Sequence, residues 1–213
     1  MRGVLHGSLS LALAIAIALA AKQHPVLALA LLGKLCNYGS SAFFHLYPFH
    51  TIAGETLAYT MDIAAVPLSV VGMSLPFLAY SPFSWAANVL VAALVILVNV
   101  VCVAKQTRGQ IGLKPPPDAW SDAPRSVVVG LYTIYVLGLA GVATGFSAPW
   151  QLHCLSALCV AYLIDGVNKE HENEPTSSWA LHHRSAVWSL HEDMHLMLAV
   201  ADAAWLAMAV HVL

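Results

Sequence analysis

The sequence predicts an all-α fold: a seven-helix bundle in a membrane, amino terminus cytoplasmic and carboxyl terminus outside. Three observations predict it. Apolar residues make up 59% of the 213 residues and charged residues only 9%, where soluble domains carry about 25% charge. The apolar residues gather into stretches of spanning length. Lysine and arginine fall almost entirely on one side of those stretches.

Nine basic and eleven acidic side chains cannot cover a soluble surface, so a soluble enzyme is excluded. The apolar content excludes a disordered chain, and a net charge of −2 without a basic patch excludes a nucleic-acid binder. Cys36, Cys102, Cys154 and Cys159 stand singly with no CxxC spacing. They signal neither a thiolate zinc site nor a disulfide framework and read as small apolar filler.

A transmembrane helix needs about 20 mostly apolar residues. The first span, 4–21, is apolar apart from His6. Arg2 before it and Ala18-Leu19-Ala20 at its end also resemble a signal peptide, but the run exceeds a usual h-region, so a retained helix is expected. The second, 25–47, is interrupted by Lys34 and His45, and the third, 57–80, only by Asp62. The fourth, 82–104, has no charge. Residues 126–164 are also uncharged but too long for one span. Pro149 in Ser147-Ala148-Pro149 divides them into 126–146 and 150–164. The seventh span is 188–213. Trp85, Trp150 and Trp188 near span ends fit interfacial belts.

With seven spans, one face carries Arg2, Lys105, Arg108, Lys114, Arg125, Lys169 and Arg184, and the other only Lys22. The positive-inside rule then sets the orientation. The 105–125 loop, with Lys114-Pro115-Pro116-Pro117, reads as a stiff extended connector. The 165–187 loop holds Asn168-Lys169-Glu170-His171-Glu172-Asn173-Glu174 and reads as solvated, which makes His171, His182 and His183 weaker metal candidates.

Ionisable groups inside spans are costly and mark function by default. Lys34, Ser41 and His45 share one face of the second span, with Asn37 or Tyr38 on the same stripe. Asp62 lies near the cytoplasmic start of the third span and needs a cation, a metal or donors. His191 and His195 are one turn apart in the last span, the spacing that aims two imidazoles at one ion, and Asp202 continues that face. The topology puts His45, Asp62, His191 and His195 at one depth. Single membrane histidines are mostly packing residues; four ionisable groups at matched depth weigh towards a metal site.

Three imidazoles with an open fourth position form a catalytic zinc pattern, in which a bound water has its pKa lowered to about 7. Asp62 is then a general base or a direct ligand. Ser41 supplies a hydrogen bond to Asp62, the water or a substrate oxygen.

Ser41-x3-His45, Asp62 seventeen residues on, and His191-x3-His195 resemble the progestin and adipoQ receptor family, which includes the haemolysin III proteins. Phe44-His45-Leu46-Tyr47-Pro48-Phe49-His50 and Gly72 with Pro76-Phe77-Leu78-Ala79-Tyr80-Ser81 are similar to the adiponectin receptors. The resemblance implies a seven-helix bundle with one Zn2+ on His45, His191 and His195, Asp62 positioning or activating its water, and Ser41 supporting the site. The wider superfamily includes alkaline ceramidases, so it implies a membrane hydrolase acting on a lipid amide such as ceramide, with membrane lipids as partners; receptor-type signalling is compatible with this. The amino end is short, as in haemolysin III proteins. The loop before the last span is longer and more acidic than the family pattern. Lys34 and Asp202 are unusual for it, and an ion pair between them is expected.

Other readings compete. His191-Glu192-Asp193-Met194-His195 matches HExxH, which would make Glu192 the base of an intramembrane zinc protease. A receptor or pore would use zinc structurally. Haem held by His45 with His195, and by His153 with His211, would make an electron carrier, but leaves His191, Ser41 and Asp62 without a task.

Overall fold

The computed structural model describes residues 2–110, 123–146, 150 and 190–213. Among these the chain is all helical and contains no strand. The helices are α1 (Arg2–Ala20), α2 (Pro25–Leu46), α3 (Ile52–Ser74), α4 (Trp85–Gln110), α5 (Ala123–Thr144) and α6 (Leu190–Val212). A 3-10 segment, Leu75–Tyr80, continues α3.

Five stretches are long and apolar enough to cross a membrane: Gly3–Ala20, Pro25–Leu46, Ile52–Tyr80, Trp85–Ala104 and Val127–Thr144. They support a membrane-embedded chain. In α6 the apolar stretch among the described residues is Leu198–Val212. The expected span over 150–164, apart from Trp150, lies outside the described residues, as do residues 111–122 of the expected 105–125 connector and the stretch 165–187 expected to be a loop.

Local chemistry sets the helix ends, and several differ from the hydropathy reading. Pro25 begins α2, where a missing N–H costs nothing. α2 stops at Leu46 because Tyr47 precedes Pro48 and takes an extended conformation (φ −79°, ψ 127°). α3 starts at Ile52, five residues before the apolar run, because the Thr51 hydroxyl caps it by accepting from the Gly54 N–H at 3.1 Å. α4 starts at Trp85 rather than at 82; the Ser84 hydroxyl accepts from the Ala87 N–H at 3.3 Å. It then continues to Gln110, so the segment expected to be connector from residue 105 is helical for six residues more. α5 starts three residues early, at Ala123. It ends at Thr144, where Gly145 turns left-handed (φ 67°).

The described residues between 2 and 143 belong to one compact unit and those between 144 and 212 to another. In the first, α2 packs against both α1 and α3, and α3 against α4. The α2–α3 interface is antiparallel and keeps one register. A Cβ added at Gly72 would lie 2.9 Å from the Ala30 carbonyl oxygen, and one at Gly33 2.6 Å from that of Leu68. Ser41 bonds to Asp62, and the Phe44 and Tyr59 rings are 5.6 Å apart. Gly33 and Gly72 thus let two backbones touch, as small residues do in membrane helix pairs.

α1 is antiparallel to α2, since a Cβ on Gly3 would meet Leu46 side-chain carbons at 2.4 and 2.6 Å and the His45 Cβ at 3.2 Å. The start of α1, the end of α2 and the start of α3 therefore share one end of this unit. At the other end α5 is tied in by hydroxyls. Tyr132 and Ser74 are 3.0 Å apart. Tyr135 donates to the Asn88 side-chain Oδ1 at 2.6 Å and lies 2.7 Å from the Ser81 hydroxyl. Pro67 lies inside α3 and removes one ladder N–H. One turn of backbone before it, the Ala64 carbonyl accepts from the Asn99 amide of α4 at 3.5 Å.

Candidate metal centre

The buried stripe of α2 is Leu27, Leu31, Lys34, Tyr38 and Ser41. Its alternating steps of four and three residues are those of one helical face. Tyr38 rather than Asn37 belongs to the stripe; Tyr38 is buried and Asn37 half-buried. His45 is the next member, half-buried. The stripe thus turns from apolar to polar as it approaches the end shared with α1 and α3.

Ser41 and Asp62 are brought together. The Ser41 hydroxyl donates to the Asp62 carboxylate, linking α2 to α3. Asp62 is half-buried and Ser41 buried. A carboxylate in an apolar bundle needs donors, and Ser41 supplies one. His45 lies one turn beyond Ser41, with its ring 4.9 Å from that of Phe44.

His191 and His195 lie in the first two turns of α6, one turn apart along a continuous helix. Helical geometry places the two positions on one face. Their side chains, and that of Glu192, lie outside the described residues. Asp202 is half-buried on α6, and Lys34 is buried on α2. Of the other histidines considered, His211 is exposed in the last turn of α6. His153, His171, His182 and His183 lie outside the described residues, as do Cys154, Cys159 and Trp188. Cys102 is buried, as filler would be, whereas Cys36 is exposed; both are free thiols.

Sequence reasoning missed His6. It is 1% exposed. Its ring lies 5.9 Å from that of Tyr38 and 5.9 Å from that of His45. Two signals pointed to it: His6 is the one ionisable residue in its apolar run, and an antiparallel first span begins where the second ends. Gly3 provides the close approach that seats α1 there.

Among the described residues, no group of three His, Cys, Asp or Glu side chains is placed to hold a metal ion. The donor types at this end nevertheless suit zinc, which takes neutral imidazole nitrogens and carboxylate oxygens. No protein-family model, curated protein or solved structure matches the chain. The family resemblance therefore rests on the motif residues themselves.

Proposed function

We propose that the chain is a multi-pass integral membrane hydrolase of the progestin and adipoQ receptor and haemolysin III type. In this reading seven spans run from a cytoplasmic amino terminus to an outer carboxyl terminus. Zinc is held by His45, His191 and His195 near the cytoplasmic face, and the substrate is a ceramide-like lipid amide arriving sideways from the bilayer. The observation that carries it is the Ser41–Asp62 hydrogen bond one turn from His45. The contact joins two of the motif residues, Ser41 and Asp62, one turn from the third, His45.

When bound, zinc supplies a Lewis acid and an acidified water. The chain's own groups do the rest. Ser41 fixes the Asp62 carboxylate. A carboxylate oxygen of Asp62 takes the proton released as water attacks the amide carbonyl, and passes it to the departing amine. The apolar faces of the helices accept the acyl and sphingoid chains and keep bulk water away.

The test is Asp62→Asn in detergent-purified protein, with zinc content and ceramide hydrolysis measured together. The reading expects zinc retained and hydrolysis down by about 100- to 10,000-fold. Unchanged hydrolysis with zinc retained contradicts it.

A further inference from the structure

Asn99 stands in the apolar stretch Trp85–Ala104, and it is 1% exposed. Its Nδ2 donates to the Ala64 carbonyl of α3 at a long 3.5 Å. Its Oδ1 is buried and accepts no hydrogen bond. An amide oxygen sealed in an apolar bundle without a donor is costly, and leucine would fill the position without that cost. Folded proteins seldom leave such an atom unpaired.

α3 has a second acceptor in need of a donor at this level. Pro67 has no N–H, so the ladder bond to the Ile63 carbonyl is missing. Ile63 adjoins Ala64, whose carbonyl already meets Asn99. Consecutive carbonyl oxygens of a helix lie about 3.5 Å apart. The α3–α4 contact thus brings together two acceptors that call for a donor. Ala64 and Ala65 carry only a methyl group each, so α3 is slender here.

We propose that one water molecule is bound between α3 and α4, donating one hydrogen to Asn99 Oδ1 and the other to the Ile63 carbonyl. Both partners accept, and a water donates twice. Asn99 Oδ1 is sealed from the surface, which excludes a lipid head group or a substrate chain. The water ties α4 to α3 across the break at Pro67. The donor need is on the α4 side, whereas Asp62 meets Ser41 of α2, so the inference does not rest on the hydrolase reading.

The test uses the full chain, labelled with 13C and 15N at asparagine and reconstituted in lipid bilayers. Solid-state NMR passes proton polarisation from water to the protein, and the Asn99 signal is identified by its loss in Asn99→Ser. With a bound water, the Asn99 side-chain amide gains water-derived signal at the shortest transfer times. A dry Asn99 gains it only by slow spin diffusion through its neighbours, and that result overturns the inference.

Thermal midpoints in detergent supply a second measurement that needs no label. Asn99→Leu should lower the midpoint by about 2–4 °C. The drop should be smaller in a Pro67→Ala background, where a restored backbone N–H already serves the Ile63 carbonyl. An acceptor with no water bound would make Asn99→Leu neutral or stabilising, which overturns the inference. Equal drops in the two backgrounds overturn the bridge to Ile63.

Discussion

The Ser41 hydroxyl donates to the Asp62 carboxylate across the α2–α3 interface, one turn from His45. The bond joins two residues twenty-one positions apart in sequence, and the antiparallel register that brings them together also sets Ala30 against Gly72 and Gly33 against Leu68. The geometry of this part of the candidate centre therefore depends on how closely two helices approach some distance away.

Gly33→Ala tests that dependence. Its new Cβ would lie 2.6 Å from a backbone oxygen, which only a helix shift relieves. The expected loss is about 1–3 kcal/mol. Gly39→Ala on the same helix is the control, because nothing lies within 4 Å of its Cβ. It should be neutral or stabilising by up to about 1 kcal/mol through helix propensity. Thermal unfolding in detergent separates the two.

Ser41→Ala should keep the fold and the metal but leave Asp62 without this donor. Hydrolysis should fall by about 10- to 100-fold, with zinc content unchanged. Loss of zinc in parallel with activity would show that Ser41 holds the ligands rather than the carboxylate.

Glu192→Gln separates the two enzyme readings of α6. A lipid amidase relying on Asp62 should keep most of its activity. An HExxH protease would lose its general base, with a rate loss of about 100-fold or more.

Tyr135→Phe probes the opposite end of the unit. It removes the donor to Asn88, which is 4% exposed, and the contact with Ser81. A loss of about 1–2 kcal/mol is expected, with no change in metal content, because Ser81 is nineteen residues along the chain from Asp62.

Much of this was legible in the sequence. Apolar length alone located the helices containing His45, Asp62 and the His191–His195 pair, since a run of twenty apolar residues has few other fates. Helix ends were less legible, because caps decide them and hydropathy does not register caps. Thr51 starts α3 five residues ahead of its apolar run, and α4 outlasts its own by six residues. Ser41 was readable from helical spacing, whereas choosing Tyr38 over Asn37 needed the neighbouring helices. His6 was missed for the same reason. A single histidine in an apolar run has no partner within its own helix, and its proximity to His45 follows only from pairing α1 with α2.

The central claim is a zinc centre built on His45, His191 and His195, and metal content tests it most directly. The full chain, purified in detergent without chelator, should contain about one zinc per molecule, and a variant with all three histidines changed to alanine should contain none. A well-folded wild-type chain without zinc, or a triple variant that keeps it, would contradict the account.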